Sequence, residues 1–221
     1  MGARLKVNRI FCIGRNYAEH IKELGGKVPS AAPAAARGPD DAECVVFMKP
    51  ASCVVPPGQP VPLPRGHGSV HHEAELVVLL SGGDRDVPVE RGLDHVAALT
   101  LGLDLTLRDL QNELKKKGAP WELCKAFDHS APLGEWTPYQ GQDLQALEFA
   151  CDVNGARRQA GHTRDMLFPV ARLVHILSRS WALQAGDIVY TGTPAGVGPL
   201  QPGDVVALSS PALGRHQWRC A

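Results

Sequence analysis

Leucine occupies positions 99, 101, 103, 105 and 107 without interruption. That period of two predicts a strand with one apolar face, its other face carrying Gly102, Asp104, Thr106 and Arg108. A second apolar run, 74–80, is headed by Glu73 and Glu75. Side chains two apart on a strand share a face, so these acids should project together while Leu76, Val78 and Leu80 line the opposite side. A short run at 9–14 reads as a buried strand and 44–48 as another strand, and Asn154-Gly155 predicts a tight hairpin across 147–159. The stretch 186–190 reads as a strand entering a glycine-rich loop, followed by another strand from 203.

Three segments carry the helical period. Residues 15–26 predict a helix with Asn16 as N-cap and Gly25 as stop. Residues 108–118 end in three lysines and a glycine, as the helix dipole favours. Residues 169–180 place Val170, Leu173, Val174 and Leu177 on one stripe, which predicts core packing. Between them, 27–42 is rich in proline, alanine and glycine and reads as a loop or lid.

With 221 residues, the chain suits one domain over 1–221 with a lid at about 20–43. Its 18 prolines and 23 glycines favour many short strands over a helical bundle. Lys plus Arg equals Asp plus Glu at 23 each, so no net field exists to hold nucleic acid or an anionic membrane. Within Lys115-Lys116-Lys117 the side chains read as a solvated helix face. Six cysteines lack Cys-x-x-Cys spacing and zinc-type histidine pairing. With no signal core or membrane-length run, a reducing, cytoplasmic setting is expected.

Candidate chemistry then changes the picture. Paired carboxylates beside a core are costly unless a cation or a shared proton compensates them. Glu73, Glu75 and Asp104 offer an all-oxygen ligand set suited to Mg²⁺, Mn²⁺ or Ca²⁺. The bland reading of Glu-x-Glu is a solvated strand face. His20 and Glu23 are neighbours on one helical face; the pair can orient a proton-transfer histidine, or simply be a surface pair. Lys125, hemmed by apolar neighbours, points inward or snorkels to solvent. Loop amides around Thr193, with its hydroxyl, can cradle an anion.

These pieces occur together and in a familiar order: Gly14-Arg15-Asn16-Tyr17-Ala18-Glu19-His20, Phe47-Met48-Lys49-Pro50, His71-His72-Glu73-Ala74-Glu75-Leu76 and 103–109. They continue through 116–121, Lys125-Ala126-Phe127-Asp128 and 191–198. The pattern resembles the fumarylacetoacetate hydrolase family, in its small acylpyruvase and oxaloacetate decarboxylase branch. The resemblance implies an α+β, β-rich fold, a mixed β-roll or sandwich with a few short peripheral helices, and a homodimer. It further implies Mg²⁺ or Mn²⁺ on Glu73, Glu75 and Asp104, and a His20–Glu23 dyad on a lid. Lys125 would be the active-site lysine, with Arg15, Tyr17, Arg108, Gln111 and Thr193 contacting a small keto-acid substrate. The segment between Gly26 and Cys44 is longer and richer in alanine and proline than the family pattern, and 209–221 matches poorly.

The expected reaction is hydrolysis of a 3-acylpyruvate, such as fumarylpyruvate or acetylpyruvate. Glu23, helped by His20, would activate water, and Lys125 would stabilise the oxyanion. Oxaloacetate decarboxylation and keto–enol tautomerisation would use the same enolate. A non-catalytic dicarboxylate-binding protein is the reading from outside enzymology.

Overall fold

A computed structural model describes residues 7–28 and 41–221. The central part of the expected lid, 29–40, lies outside the described residues. The first strands are β1 (Ile10–Gly14), β2 (Val45–Lys49), β3 (Val54–Val55), β4 (Val70–His72), β5 (Ala74–Leu80), β6 (Val96–Leu103) and β7 (Thr106–Leu107). They are followed by β8 (Ala131–Pro132), β9 (Thr137–Pro138), β10 (Glu148–Val153), β11 (Ala156–His162) and β12 (Ile188–Tyr190), then β13 (Gly198–Pro199), β14 (Val205–Ser210) and β15 (Gly214–Arg219). The helices are α1 (Ala18–Glu23), α2 (Arg108–Lys117), α3 (Glu122–Lys125) and α4 (Val170–Ser180). This is the α+β, β-rich architecture the sequence led us to expect.

The largest sheet runs β2-β1-β12-β5-β6-β9. Its β1–β12 pair is parallel and the other pairings are antiparallel. A second, antiparallel sheet runs β11-β10-β14-β15. The 209–221 tail therefore completes this sheet through β15. β5 is buried along its whole length, with Leu76, Val78 and Leu80 in one apolar cluster and Val77 and Leu79 in another. Both faces of the central strand are dry, so the polar side expected of it narrows to its first turn. Gly102 on β6 is dictated by packing, since a Cβ there would lie 2.8 Å from the Tyr190 ring.

The leucine run is broken where it matters. β6 ends at Leu103, and after Asp104 and Leu105 the chain enters β7, which belongs to a small β13-β4-β7 sheet. β4 and β5 break at Glu73 in the same way. β5 pairs with β6 and β4 with β7, both antiparallel, so one long hairpin bends between two sheets. Glu73 and Asp104 occupy the two sides of that bend, joined by a 2.8 Å hydrogen bond from the Asp104 N–H to the Glu73 carbonyl. The same bend makes Arg108 the first residue of α2 rather than a strand residue.

The first helix is shorter than its pattern predicts. Asn16 does not cap it: its amide donates to the carbonyls of Phe168 and Thr191 and its oxygen accepts from the Phe168 N–H. Tyr17, in extended backbone, holds the cap position. Gly25 does stop it, in left-handed conformation at φ 67°. The Gly25 and Gly26 amides bond back to Lys22 and Ile21, the paired bonds of a Schellman ending. The Asn154-Gly155 hairpin forms as expected, both residues having positive φ. Among the described residues, no helix is long and apolar enough to cross a membrane.

Candidate active site

The bent hairpin, the end of β12 and the end of β1 meet at one corner of the large sheet. Because β12 runs antiparallel to β5, the residues after Tyr190 pass alongside the start of β5. Thr191 donates from its N–H and its hydroxyl to the Leu76 carbonyl. The Gly192 N–H donates to Glu75 Oε2 at 2.7 Å, and the Thr193 hydroxyl donates to the Ala74 carbonyl at 2.8 Å. β1 leads into α1 and brings His20 to the same corner. Together these elements enclose a cavity of about 190 Å³.

Glu73, Glu75 and Asp104 are all buried, and one ligand oxygen from each lies within 4.8 Å of the others. Three cations answer them. Arg108 pairs with Glu73; Lys125 Nζ donates to Glu73 Oε2 at 2.7 Å and Asp104 Oδ2 at 2.6 Å. Lys49 Nζ lies 2.8 Å from Asp104 Oδ1. Its donors, however, serve the carbonyls of Leu105, Lys125 and Ser130 and the Ser130 hydroxyl. Asp104 Oδ1 is left buried without a hydrogen bond. A buried carboxylate oxygen that has an ion-pair neighbour but no hydrogen bond among the described residues, beside two other acids, fits a divalent ion.

The two glutamates sit in opposite electrostatic regimes. Burial pushes the Glu73 carboxyl up, but Lys125, Arg108 and His20 outweigh it and hold its pKa well below the usual carboxylate range. Burial also pushes Glu75 up; Asp104 and Glu73 push it further, so it stands well above that range despite the Gly192 N–H. Without a cation, Glu75 is the acid that keeps a proton. For Lys125, burial favours the neutral amine, yet Asp104 and Glu73 raise its pKa overall. Lys125 therefore points inward as a permanent ammonium.

His20 lines the cavity, whereas Glu23 stands behind it. Glu23 Oε2 lies 3.2 Å from His20 Nδ1, and Oε1 accepts the Gly196 N–H at 3.0 Å. A carboxylate can only accept, so it fixes the ring proton on Nδ1 and leaves Nε2 as the basic nitrogen. Nε2 has no hydrogen bond among the described residues. Burial lowers the His20 pKa, with Glu73 and Glu23 pushing back only in part, so the ring is held neutral. Within the pair, His20 lines the cavity, and Glu23, pinned to a loop amide, sits on its Nδ1.

Other expected contacts divide. Arg15, Arg108, Gln111 and Thr193 line the cavity. Gln111 accepts from Arg108 Nη1 at 2.5 Å, and Arg15 holds a left-handed φ of 60°. Tyr17 does not line the cavity; its ring joins the apolar core and its hydroxyl is buried without a partner among the described residues. The loop amides also differ from expectation. Gly192 and Gly196 hold the chain's own Glu75 and Glu23, and the Thr193 proton is spent on Ala74, so this loop is a carboxylate clamp for the protein itself.

Four residues escaped the sequence reading as site components: Lys49, Lys115, Trp121 and Gln159. Lys115 is half-buried at the cavity, its ammonium 5.3 Å from the Trp121 ring centroid, in place of the solvated position expected for the lysine run. Gln159 on β11 is fully buried and saturated. Its oxygen lies 3.1 Å from the Ala74 N–H, which donates to it, and 2.9 Å from His72 Nδ1; its nitrogen donates to Thr193 Oγ1 and the Pro194 carbonyl. It ties the residue between Glu73 and Glu75 to the loop bearing Thr193. Motif context marked Lys49 and Trp121; nothing local marked Gln159.

The site thus joins a buried three-carboxylate centre, a lysine and a carboxylate-oriented histidine at one corner of a β-rich fold. A family model described as fumarylacetoacetate (FAA) hydrolase C-terminal matches residues 9–219, and the chain belongs to this family. It is 42% identical to the oxaloacetate tautomerase YcgM of Escherichia coli over 206 residues, covering 92% of this chain and 88% of that protein. It is 37% identical to a mitochondrial oxaloacetate decarboxylase of Dictyostelium discoideum over 200 residues, covering 90% and 86%. Among solved structures, fumarylpyruvate hydrolase from Pseudomonas aeruginosa, in complex with Mn²⁺ and pyruvate, superposes with a TM-score of 0.90 at 35% identity. That match covers 100% of this chain and 92% of the other.

Proposed function

We propose that this protein catalyses proton transfer at the carbon next to the keto group of a small dicarboxylic 2-oxo acid, with oxaloacetate keto–enol tautomerisation as its reaction. The observation that carries this reading is a neutral His20 lining the same cavity as the three carboxylates, with Glu23 on its Nδ1 fixing the tautomer that leaves Nε2 basic. Glu73, Glu75 and Asp104 would hold Mg²⁺ or Mn²⁺. Such an ion, when bound, chelates the 2-oxo acid and lowers the cost of negative charge on its keto oxygen. In the keto-to-enol direction His20 Nε2 takes a proton from the methylene carbon while the keto oxygen gains one from solvent. In the reverse direction the enol O–H gives its proton to solvent and protonated His20 delivers one to the carbon. Arg108, held to Glu73 and Gln111, and the ammonium of Lys125 offset part of the negative charge of the three carboxylates. The E. coli relative named as an oxaloacetate tautomerase supports the same choice.

Hydrolysis of a 3-acylpyruvate is the second reading. It is favoured by the likeness to fumarylpyruvate hydrolase, with His20 drawing a proton from water in place of the substrate carbon. Supplying the Mg²⁺-loaded protein with enol-oxaloacetate, fumarylpyruvate and acetylpyruvate separates the two. Rapid loss of enol absorbance with slow pyruvate release supports tautomerisation; pyruvate release from the acylpyruvates outpacing it overturns that assignment.

The dyad has its own test. His20→Gln should lower turnover on the order of 10²–10⁴, the scale of a lost acid–base group. Glu23→Gln should be at least as damaging as Glu23→Ala, because an amide NH₂ facing Nδ1 drives the proton onto Nε2. Equal losses for the two Glu23 variants, with His20→Gln nearly active, would make Glu23 the base instead.

A further inference from the structure

Helix α2 turns one face toward the cavity. Arg108, Gln111 and Lys115 stand at i, i+3 and i+7, the spacing of one helical stripe, and all three line it. The first two are committed, Arg108 to Glu73 and Gln111 to Arg108. Lys125 is committed to Glu73 and Asp104. Lys115 has no carboxylate partner among the described residues, although it is half-buried; its next neighbours Lys116 and Lys117 are exposed. Its ammonium rests over Trp121. That ring is held in place by Phe47, whose centroid is 5.9 Å away, and by Gly14, where an added Cβ would lie 3.3 Å from it. The Trp121 carbonyl also accepts the Cys124 and Lys125 N–H groups, so one residue seats both lysines. Burial, then the charge of Arg108, bring the Lys115 pKa down to about 8, the mark of a cation short of an anion.

We propose that Lys115, seated on Trp121, is a carboxylate subsite that binds the far end of the substrate and selects dicarboxylic over monocarboxylic 2-oxo acids. This rests on the 2-oxo acid reading above and adds to it which residue reads the second charge. The cavity lining carries three acids against Arg15, Arg108, Lys115 and Lys125. Glu73 and Asp104 are engaged with Arg108 and Lys125, Glu75 accepts the Gly192 N–H, and Arg15 is exposed. Lys115 is therefore the sheltered cation with capacity to spare. A cation stacked on an indole face keeps its outward N–H groups for an acceptor.

The test compares oxaloacetate, with a carboxylate at the far end, and acetylpyruvate, with a methyl there, on Mg²⁺-loaded wild type, Lys115→Met, Lys115→Arg and Lys117→Met. Lys115→Met should cut kcat/KM for oxaloacetate roughly 10- to 100-fold more than for acetylpyruvate, chiefly through KM, the scale of one charge-assisted hydrogen bond. Lys115→Arg should recover most of the preference, and the exposed Lys117→Met should leave both substrates as in wild type. Equal losses on both substrates, or none, overturn the subsite. A wild type that turns over neither keto acid would instead sink the proposed function. Calorimetry with malate and lactate then reads the subsite without turnover: Lys115→Met must lose malate affinity preferentially, and an unchanged malate-to-lactate ratio refutes it.

Discussion

Lys49 shows how far a single side chain is governed by what surrounds it. It is buried at the end of β2, and its ammonium gathers three carbonyls, one hydroxyl and the Asp104 carboxylate. Replacing it with methionine strips those acceptors of their donor and leaves Asp104 short of a counter-charge. Breaking a buried pair by removing one partner costs about 3–5 kcal/mol. Lys49→Met should therefore unfold at clearly lower urea concentration, with Mg²⁺ recovering part of the loss; an unchanged midpoint would refute the role. The sequence indicated Lys125 through its apolar neighbours, and the inward turn follows from the same hydrophobic logic. Apolar patterning did not indicate Lys115, and it was motif context alone that marked Lys49. A lysine closing a strand and a lysine inside a basic run both read as solvated, and only the bent hairpin and Trp121 make them otherwise. Glu23 was legible as half of a dyad, but its place behind His20 depends on the Gly196 amide, 173 positions away.

β11 makes the same point for an element. Strict alternation after the Asn154-Gly155 turn puts Arg157 and Gln159 on one face. A bulge against β10, between Cys151 and Asp152, shifts the register so that Cys151 faces Gln159 and Asp152 faces Arg157. Arg157 and Arg158 stay exposed and Gln159 turns inward. Periodicity carries no sign of such a bulge, which is why this residue went unread. Its four-fold bonded amide locks Ala74, between the two glutamates, to Thr193 and Pro194. Gln159→Leu keeps the volume and removes every one of those bonds. Outer groups that orient metal-binding side chains typically affect affinity by about 10–100-fold, so Mn²⁺ titration followed by calorimetry should show weakening of that order. A folded variant binding Mn²⁺ as tightly as wild type would show that Gln159 merely fills space. The predicted helix at 15–26 illustrates the opposite error. Its apolar spacing was sound, but Asn16 gains more from three distant backbone partners than from capping.

Across the molecule, apolar periodicity was enough to locate α4 and five of the six strands of the central sheet, all but the two-residue edge strand β9. Their meeting at one corner came from the order of motifs rather than from periodicity, since strand pairing is non-local. The price of that corner is a concentration of titratable groups held away from water, and it makes stability depend on pH in a direction that can be worked out. Burial lowers the pKa of His20, His72 and His216, and brings His71 down to about 4 with help from Arg108. The unfolded chain titrates its histidines near 6.5, so it binds protons that the folded chain refuses. Their contribution is complete above about pH 6.5 and is lost as pH falls, for His71 down to about 4. Glu73, depressed on folding, adds a further loss below the usual carboxylate range. Glu75 runs the other way: its raised pKa stabilises the metal-free fold at low pH and ceases to do so as pH rises through its folded value. The melting temperature of chelator-treated protein should therefore drop progressively on acidification from about pH 7 towards about pH 4.5. His216 isolates one contributor outside the cavity, its ring packed where a Cβ on Gly134 would touch it at 2.5 Å and its Nε2 buried without a partner among the described residues. His216→Gln should flatten that slope, and an acid limb as steep as the wild type's would mean the buried histidines are not what the fold loses in acid.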